Sequence, residues 1–189
     1  MSQENEGSYG RLLTAAFPPA LAADVSIVEA RLQTFRAAEG VHELQLASAA
    51  VAIPDRVYLV NVGPGAELTP AQQRILDCIH TRDHDGRVRR AHVERLVEAA
   101  EVSVDEWVCP FVLLLLGEYV VEIIERIAAN VERLDRATWA PFLARNQRLV
   151  SEVRQRAESY FDSYYRERFD SFAAHPTARV LAHLESFSG

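Results

Sequence analysis

The stretch that decides the fold runs from Trp107 to Leu134 and reads WVCPFVLLLLGEYVVEIIERIAANVERL. Its unbroken apolar part, 108–116, contains Pro110 and is less than half the roughly 20 residues that a membrane-spanning helix needs. Glutamates follow directly after it. We therefore predict a buried core segment that forms one helix, or two helices joined at Gly117, since glycine weakens a helix interior by about 1 kcal/mol.

Two further helices are predicted on the N-terminal side of this segment. Thr69 is a typical N-cap, with Pro70 at the first helical position and Gln72 placed to complete a capping box, which predicts a helix over 70–81. The sequence Asp-His-Asp-Gly at 83–86 is typical of a turn. A second helix is then expected over 87–100, and residues 69–134 together form the predicted core.

On the C-terminal side, Thr138 is a candidate N-cap for one helix that continues to about Phe172. At 1.5 Å per residue this helix would be roughly 50 Å long, which exceeds the diameter of a small domain. We therefore expect part of it to pack against another chain. His175-Pro176 should end it, and 177–187 should form a short closing helix, so that 138–187 is a long helix plus a closing one.

The N-terminal third has less regular patterning. Residues 1–10 are polar and lack the apolar region of a signal peptide, so we expect a disordered tail. Residues 11–38 are predicted to be helical in two pieces, split by Pro18-Pro19 and ended near Gly40. The range 41–62 is ambiguous, and its β-branched and aromatic run at 57–60 suggests a short extended segment.

The sequence as a whole therefore predicts a mainly α protein. We expect a single helical domain over 11–189, built as a helical bundle or a short helical array with one long C-terminal helix. The length of 189 residues allows a sizeable core, and the two cysteines, Cys78 and Cys109, form no CxxC motif. We expect reduced thiols, a cytoplasmic location and no cofactor. A net charge of −7 disfavours non-specific binding to nucleic acid or to anionic membranes.

The segment 80–95, HTRDHDGRVRRAHVER, holds five arginines, three histidines and three carboxylates, and it supports three hypotheses. The first is a metal site with His80 and His84 as ligands, which would suit a metal-dependent enzyme. Two imidazoles four residues apart can share an ion when they lie on one continuous helix. The predicted turn between them disfavours this site.

The second hypothesis is a helix-turn-helix that binds nucleic acid. Helices 70–81 and 87–100 have its outline, and the second helix carries the basic side chains that would face DNA. Seven carboxylates lie between 98 and 125 with no basic residue among them, and such an acidic block would repel phosphates. The predicted contact residues are Arg87, Arg89, Arg90, His92 and Arg95.

The third hypothesis is helical-repeat packing. Asp85 followed by Val88-Arg89, and then the proline-initiated apolar helix 110–116, resembles a HEAT-type repeat over residues 69–134. The resemblance covers at most one and a half units, whereas about three are expected for a stable stack. It implies that Asp85 and Arg89 serve hydrogen bonding between repeats.

Two other groups of residues are candidate surfaces. Glu118, Glu122 and Glu125 would share one face of a continuous helix, as an acidic face that either pairs with the nearby arginines or is solvated. An aromatic stripe near 160–172 is typical of a core or an oligomer interface. Its predicted interface residues are Tyr160, Phe161 and Tyr164.

No motif for nucleophilic catalysis or phosphate binding is present, which disfavours an enzyme. The sequence favours a helical binding or scaffolding protein that contacts a protein partner or a second copy of itself. A nucleic-acid-binding protein is the alternative, and a metal-dependent enzyme is the third possibility. The predicted binding surface consists of Arg82, Asp85, Arg87, Arg89, Arg90, His92 and Arg95.

Overall fold

A computed structural model describes residues 13–37, 40–61, 67–98 and 105–188. The predicted tail, residues 1–10, lies outside these ranges. The chain divides into two compact units, Met1–His92 and Val93–Gly189. The protein is mainly helical, which confirms the predicted fold class.

The first unit combines helices with two small antiparallel ladders. A single 3-10 turn leads into α1 (Ala22–Glu29), and the strands are β1 (Leu32–Ala37), β2 (Val41–Gln45), β3 (Ala50–Pro54) and β4 (Val57–Asn61). Strand β1 pairs with β4, and β2 pairs with β3. The short extended segment suggested at 57–60 is present as β4, and the ambiguous range 41–62 also contains β2 and β3. Gly40 precedes β2 with φ of 131°, a left-handed conformation that glycine adopts without steric cost.

The helical prediction for 11–38 was wrong for residues 32–37, which form a strand. Helix α1 ends at Glu29, and the chain continues as β1, with Leu32 opposite Asn61. The apolar spacing of Val28 and Leu32 therefore crosses the end of a helix. Because β4 is a β-branched and aromatic run that needs a partner strand, pairing between distant segments overrides the local helical pattern.

The two helices that follow confirm the helices predicted over 70–81 and 87–100 as far as residue 98; positions 99–100 lie outside the described residues. Helix α2 (Pro70–His80) begins with a complete capping box, in which the Gln72 amide N–H donates to Oγ1 of Thr69 at 3.2 Å and the Thr69 amide N–H donates to the Gln72 side chain at 3.1 Å. Helix α3 (Gly86–Glu98) starts after the predicted turn. The unit boundary at His92/Val93 falls inside α3.

The predicted core segment forms two helices in the second unit. Helix α4 (Cys109–Leu115) is buried along its whole length, and α5 (Val121–Ala129) is buried on one side. The chain leaves the helical path around Gly117, where an added Cβ would lie 3.2 Å from Cδ of Arg156. This confirms the alternative of two helices joined at Gly117.

The single long C-terminal helix was wrong. Residues 136–174 form α6 (Arg136–Arg145), α7 (Gln147–Tyr160), a π-helical turn (Phe161–Tyr165) and a 3-10 turn (Phe172–Ala174). Asn146 interrupts the helical path with ψ of 35°, and its buried side chain donates to the Phe142 carbonyl at 2.8 Å. This hydrogen bond from the Asn146 side-chain amide stabilises the break. Because the long helix does not form, its length no longer indicates packing against another chain.

The ends of these last helices differ slightly from the prediction. Asp135 caps α6, because its carboxylate accepts the Thr138 amide N–H at 2.9 Å, so Thr138 lies inside the helix. The predicted closing helix is present as α8 (Pro176–Glu185). Within the ranges that the structure describes, every helix is too short or too polar to cross a membrane.

Candidate functional site

The turn between α2 and α3 is built around a buried arginine. Arg82 is 1% exposed, and its guanidinium donates to the carbonyls of Pro54 at 3.3 Å and Asp55 at 2.5 Å. The backbone of the same turn is paired to β4, since the Val57 amide donates to the Arg82 carbonyl at 2.9 Å. Arg82 therefore joins the turn to the β3–β4 connection and is not part of an exposed surface.

A second buried arginine holds the turn from the α3 side. Arg89 is fully buried and donates from one nitrogen to the carbonyls of Asp83 at 2.8 Å and His84 at 3.0 Å. Asp85, the turn residue of the repeat-like pattern, accepts the Arg87 amide N–H at 2.8 Å near the start of α3. Both predicted binding residues thus act within the turn itself.

The other predicted contact residues of α3 lie towards solvent. Arg87, Arg90 and Arg95 are exposed, and His92 is partly exposed. The same exposed side of the helix carries Glu94, whose carboxylate pairs with Arg126 at 2.8 Å. The exposed side of α3 therefore combines cations with carboxylates.

Two carboxylates beside this turn, those of Asp83 and Asp77, lie close to imidazole rings. Asp83 is 2% exposed; its Oδ1 lies 3.1 Å from Nδ1 of His84, and its Oδ2 lies 3.6 Å from Nδ1 of His80. Burial acts to raise the pKa of Asp83, but the nearby His80 imidazole, the hydrogen bond from the Asp85 amide and the His84 imidazole hold that pKa below its ordinary value. Asp77, which the sequence analysis did not single out, lies 2.7 Å from His92.

The two histidines proposed as metal ligands contact different oxygens of Asp83 rather than converging on one point. The ring of His80 instead stacks on that of His92, with 4.2 Å between centroids. In the part of the chain that the structure describes, no group of three or more His, Cys, Asp or Glu side chains is arranged to hold a metal ion. These histidines are thus placed as partners of carboxylates.

The three glutamates predicted to form one acidic face are separated. Glu118 lies in the connection between α4 and α5 and is 2% exposed. Glu122 is exposed on α5, and Glu125 pairs with Arg168 at 2.7 Å. The single face was wrong because the chain leaves the helix before Glu118, so that the i, i+4 spacing no longer applies to it.

Four tyrosines of the second unit lie in a row that we call the tyrosine surface: Tyr119, Tyr160, Tyr164 and Tyr165. Ring centroids are 6.0 Å apart for Tyr119 and Tyr160, 6.1 Å for Tyr160 and Tyr164, and 6.5 Å for Tyr164 and Tyr165. Tyr119 is 50% exposed and Tyr164 is 67% exposed. The hydroxyl of Tyr165 donates to the Tyr119 carbonyl and fixes the connection onto the helix.

This surface only partly matches the predicted interface. Tyr160 and Tyr164 belong to it, whereas Phe161 is 8% exposed and faces the core against Phe172. Tyr119 lies in the connection between α4 and α5, and no sequence pattern linked it to the aromatic stripe. Burial raises the pKa of Tyr165, and the nearby carboxylates of Glu122 and Glu125 act in the same direction, so its hydroxyl stays protonated as a donor.

Two ion pairs lie beside the tyrosine surface. Arg166 lies 2.7 Å from Asp162, one helical turn away, and Arg168 lies 2.7 Å from Glu125. The Arg168 guanidinium also lies over the Phe169 ring, 5.3 Å from its centroid. Positive and negative charges are therefore interspersed at the edge of the surface.

No protein family matches the chain, and comparisons with curated proteins and with solved structures also found no match. The functional argument accordingly depends on the residues and contacts described above.

Proposed function

We propose that this protein is a helical binding module that self-associates through the tyrosine surface. The single observation that carries the proposal is the exposure of Tyr119 and Tyr164 in one continuous aromatic row. Tyrosine is enriched among the residues that dominate binding energy, because it offers a large apolar area with little conformational freedom to lose. Single exposed tyrosines are ordinary on a protein surface, whereas a contiguous patch of aromatic rings is typical of a binding site.

The geometry of the row supports an ordered binding surface. Tyr165 is anchored on both sides, by its hydroxyl bond to Tyr119 and by its ring contact with Phe169 at 6.3 Å between centroids. Side chains that are already fixed lose less entropy when a partner binds. The tyrosine surface is therefore prepared for association at a small ordering cost.

The charge pattern favours a second copy of the chain as the partner. In a two-fold dimer the same patch meets itself, so an effective patch must be self-complementary. The paired charges of Arg166 with Asp162 and Arg168 with Glu125 give the edge both signs. A patch of one sign would repel its own copy, and this patch does not have that property.

The nucleic-acid alternative receives less support from the described contacts. One of its predicted contact residues, Arg89, is fully buried and donates to backbone carbonyls. The exposed arginines of α3 share their side of the helix with Glu94 and Glu98. Sequence-independent affinity for DNA depends on a net excess of cations facing the phosphates, and these two carboxylates reduce the excess that the exposed arginines would supply.

Sedimentation velocity over a concentration series tests self-association. We expect the wild-type protein to form a dimer, and Tyr164→Ala to weaken it about tenfold or more, the loss usual for a tyrosine that dominates an interface. Ile27→Ala is the matched control, because Ile27 is a similarly exposed apolar residue, 47% exposed, in the other unit. A wild-type protein that stays monomeric up to about 100 μM, or equal weakening by both variants, would overturn the proposal.

A further inference from the structure

His175 is a buried histidine that caps α8. It is 2% exposed, and its Nδ1 accepts the Thr177 amide N–H at 3.3 Å. An acceptor nitrogen carries no proton, so the neutral ring must carry its proton on Nε2. Among the described residues, Nε2 of His175 has no hydrogen-bond partner.

Aromatic rings surround this imidazole. The centroid of the His175 ring lies 5.1 Å from that of Phe169, 5.4 Å from Tyr165, 6.0 Å from Phe161 and 6.1 Å from Phe172. The cluster thus fills the space between the π-helical turn and the start of α8. It joins the tyrosine surface directly, since Tyr165 belongs to both.

We propose that protonation of His175 opens this aromatic cluster and thereby switches off the tyrosine surface. The proposal rests on the proposed function for its consequence, and on the contacts of His175 for its mechanism. When Nδ1 gains a proton it becomes a donor that faces the Thr177 amide, which is also a donor, and the cap of α8 is lost. The new positive charge would also lie at the N-terminus of α8, where the helix dipole disfavours cations.

The charged and titratable groups around His175 determine the direction of the response. Arg168 is the nearby cation, although its own charge is paired with Glu125. Tyr165 is a protonated phenol in ring contact with His175, and the carboxylates of Glu122 and Glu125 lie near that phenol. The ring faces themselves would attract an imidazolium, but the face of Phe169 is already in contact with Arg168.

These contributions combine to disfavour the charged form. Burial lowers the pKa of His175 below 6.5, and Arg168 lowers it further. A histidine whose pKa is lowered on folding contributes stability that is fully present above the pKa of the unfolded chain, about 6.5, and is lost as the pH falls below it. Down to the folded pKa, each pH unit then reduces the equilibrium constant for the closed cluster by up to about tenfold.

Opening the cluster would affect the tyrosine surface through two side chains, those of Tyr165 and Thr177. Tyr165 contacts His175 with its ring and the Tyr119 carbonyl with its hydroxyl. Loss of the cap also loosens Thr177, whose hydroxyl donates to the Leu116 carbonyl at 3.2 Å and ties α8 to the connection that carries Tyr119. The contact of Tyr165 with the Tyr119 carbonyl and that of Thr177 with the Leu116 carbonyl therefore both depend on His175 staying neutral.

The experiment compares wild type, His175→Asn and His183→Asn at pH 7.5 and 5.5. Asparagine is a good N-cap that does not titrate, so His175→Asn preserves the cap and removes the proton site. His183, in the last turn of α8 with its ring against Phe187, is the matched control. Sedimentation velocity measures association, urea unfolding measures stability, and an assigned NMR titration measures the pKa of His175 in the wild-type protein.

We expect acid to weaken association and lower the urea midpoint of wild type and of His183→Asn, and to have a clearly smaller effect on His175→Asn. The same acid response in all three proteins, or an NMR pKa of His175 at or above 6.5, would overturn the switch. If wild type is monomeric at both pH values, the proposed function fails, while the urea midpoints and the NMR titration still decide the switch. If His175→Asn does not fold, the NMR titration of wild type decides it alone.

Discussion

Replacing Arg89 by methionine tests the interpretation that the basic segment is structural. The side chain is fully buried, and its guanidinium donates to two carbonyls of the turn, those of Asp83 and His84. Hydrogen bonds from a charged group contribute about 1.5–3 kcal/mol each, and methionine occupies a similar volume without supplying a donor. Removing the desolvation cost of the buried charge offsets part of this loss. We therefore expect Arg89→Met to lower the free energy of unfolding by about 3 kcal/mol.

Urea unfolding followed by far-ultraviolet circular dichroism measures this loss. With a slope of about 2 kcal/mol per molar urea, the midpoint should fall by about 1.5 M. Arg87→Met is the matched control, since Arg87 is an exposed arginine on the same helix, and its effect should stay within about 0.5 kcal/mol. If Arg89→Met unfolds at the same urea concentration as the control, the structural role assigned to the buried guanidinium is refuted.

Two further predictions concern titrating groups. Burial acts to raise the pKa of Asp83, but the His80 imidazole and the hydrogen bond from the Asp85 amide hold it below its ordinary value. Asp83 therefore stabilises the fold above about pH 4, and this contribution is lost as the pH falls through the folded pKa. Asp83→Asn should lower stability at pH 7 and flatten its dependence on pH below 4 in urea titrations; an unchanged acid limb would contradict this. Burial also raises the pKa of Cys109 well above its ordinary value, and Cys78 is fully buried, so neither thiol should react with Ellman's reagent at pH 8 until urea is added, and fast labelling of the native protein would contradict this.

The elements that the sequence predicted well are those specified by neighbouring residues. The capping box of Thr69 and Gln72 defines the start of α2 from residues three apart. His175-Pro176, which was predicted to separate two helices, does so, and α8 begins at Pro176 because proline suits the first helical position. Gly117 interrupts the core segment where a glycine was expected to weaken a helix.

The errors arise where a distant partner decides the local conformation. Residues 32–37 form a strand because β4 lies opposite them, and no pattern within 32–37 contains that information. Arg82 and Arg89 were predicted to be surface cations, but both are buried. Arg82 donates to the carbonyl of Pro54, which is distant in the chain, and Arg89 donates to a carbonyl of the irregular turn. The break at Asn146 depends on a side chain to backbone bond that an asparagine in a helical pattern does not predict by itself.

The tyrosine surface joins residues that lie far apart in the chain. Tyr165 and Tyr119 are 46 positions apart and meet only because α4, α5 and the π-helical turn are folded around them. A peptide copied from 160–165 would carry most of the rings but would lack the carbonyl that orients them. An antibody raised against the native surface should therefore recognise a discontinuous epitope and fail to bind the denatured chain on a blot.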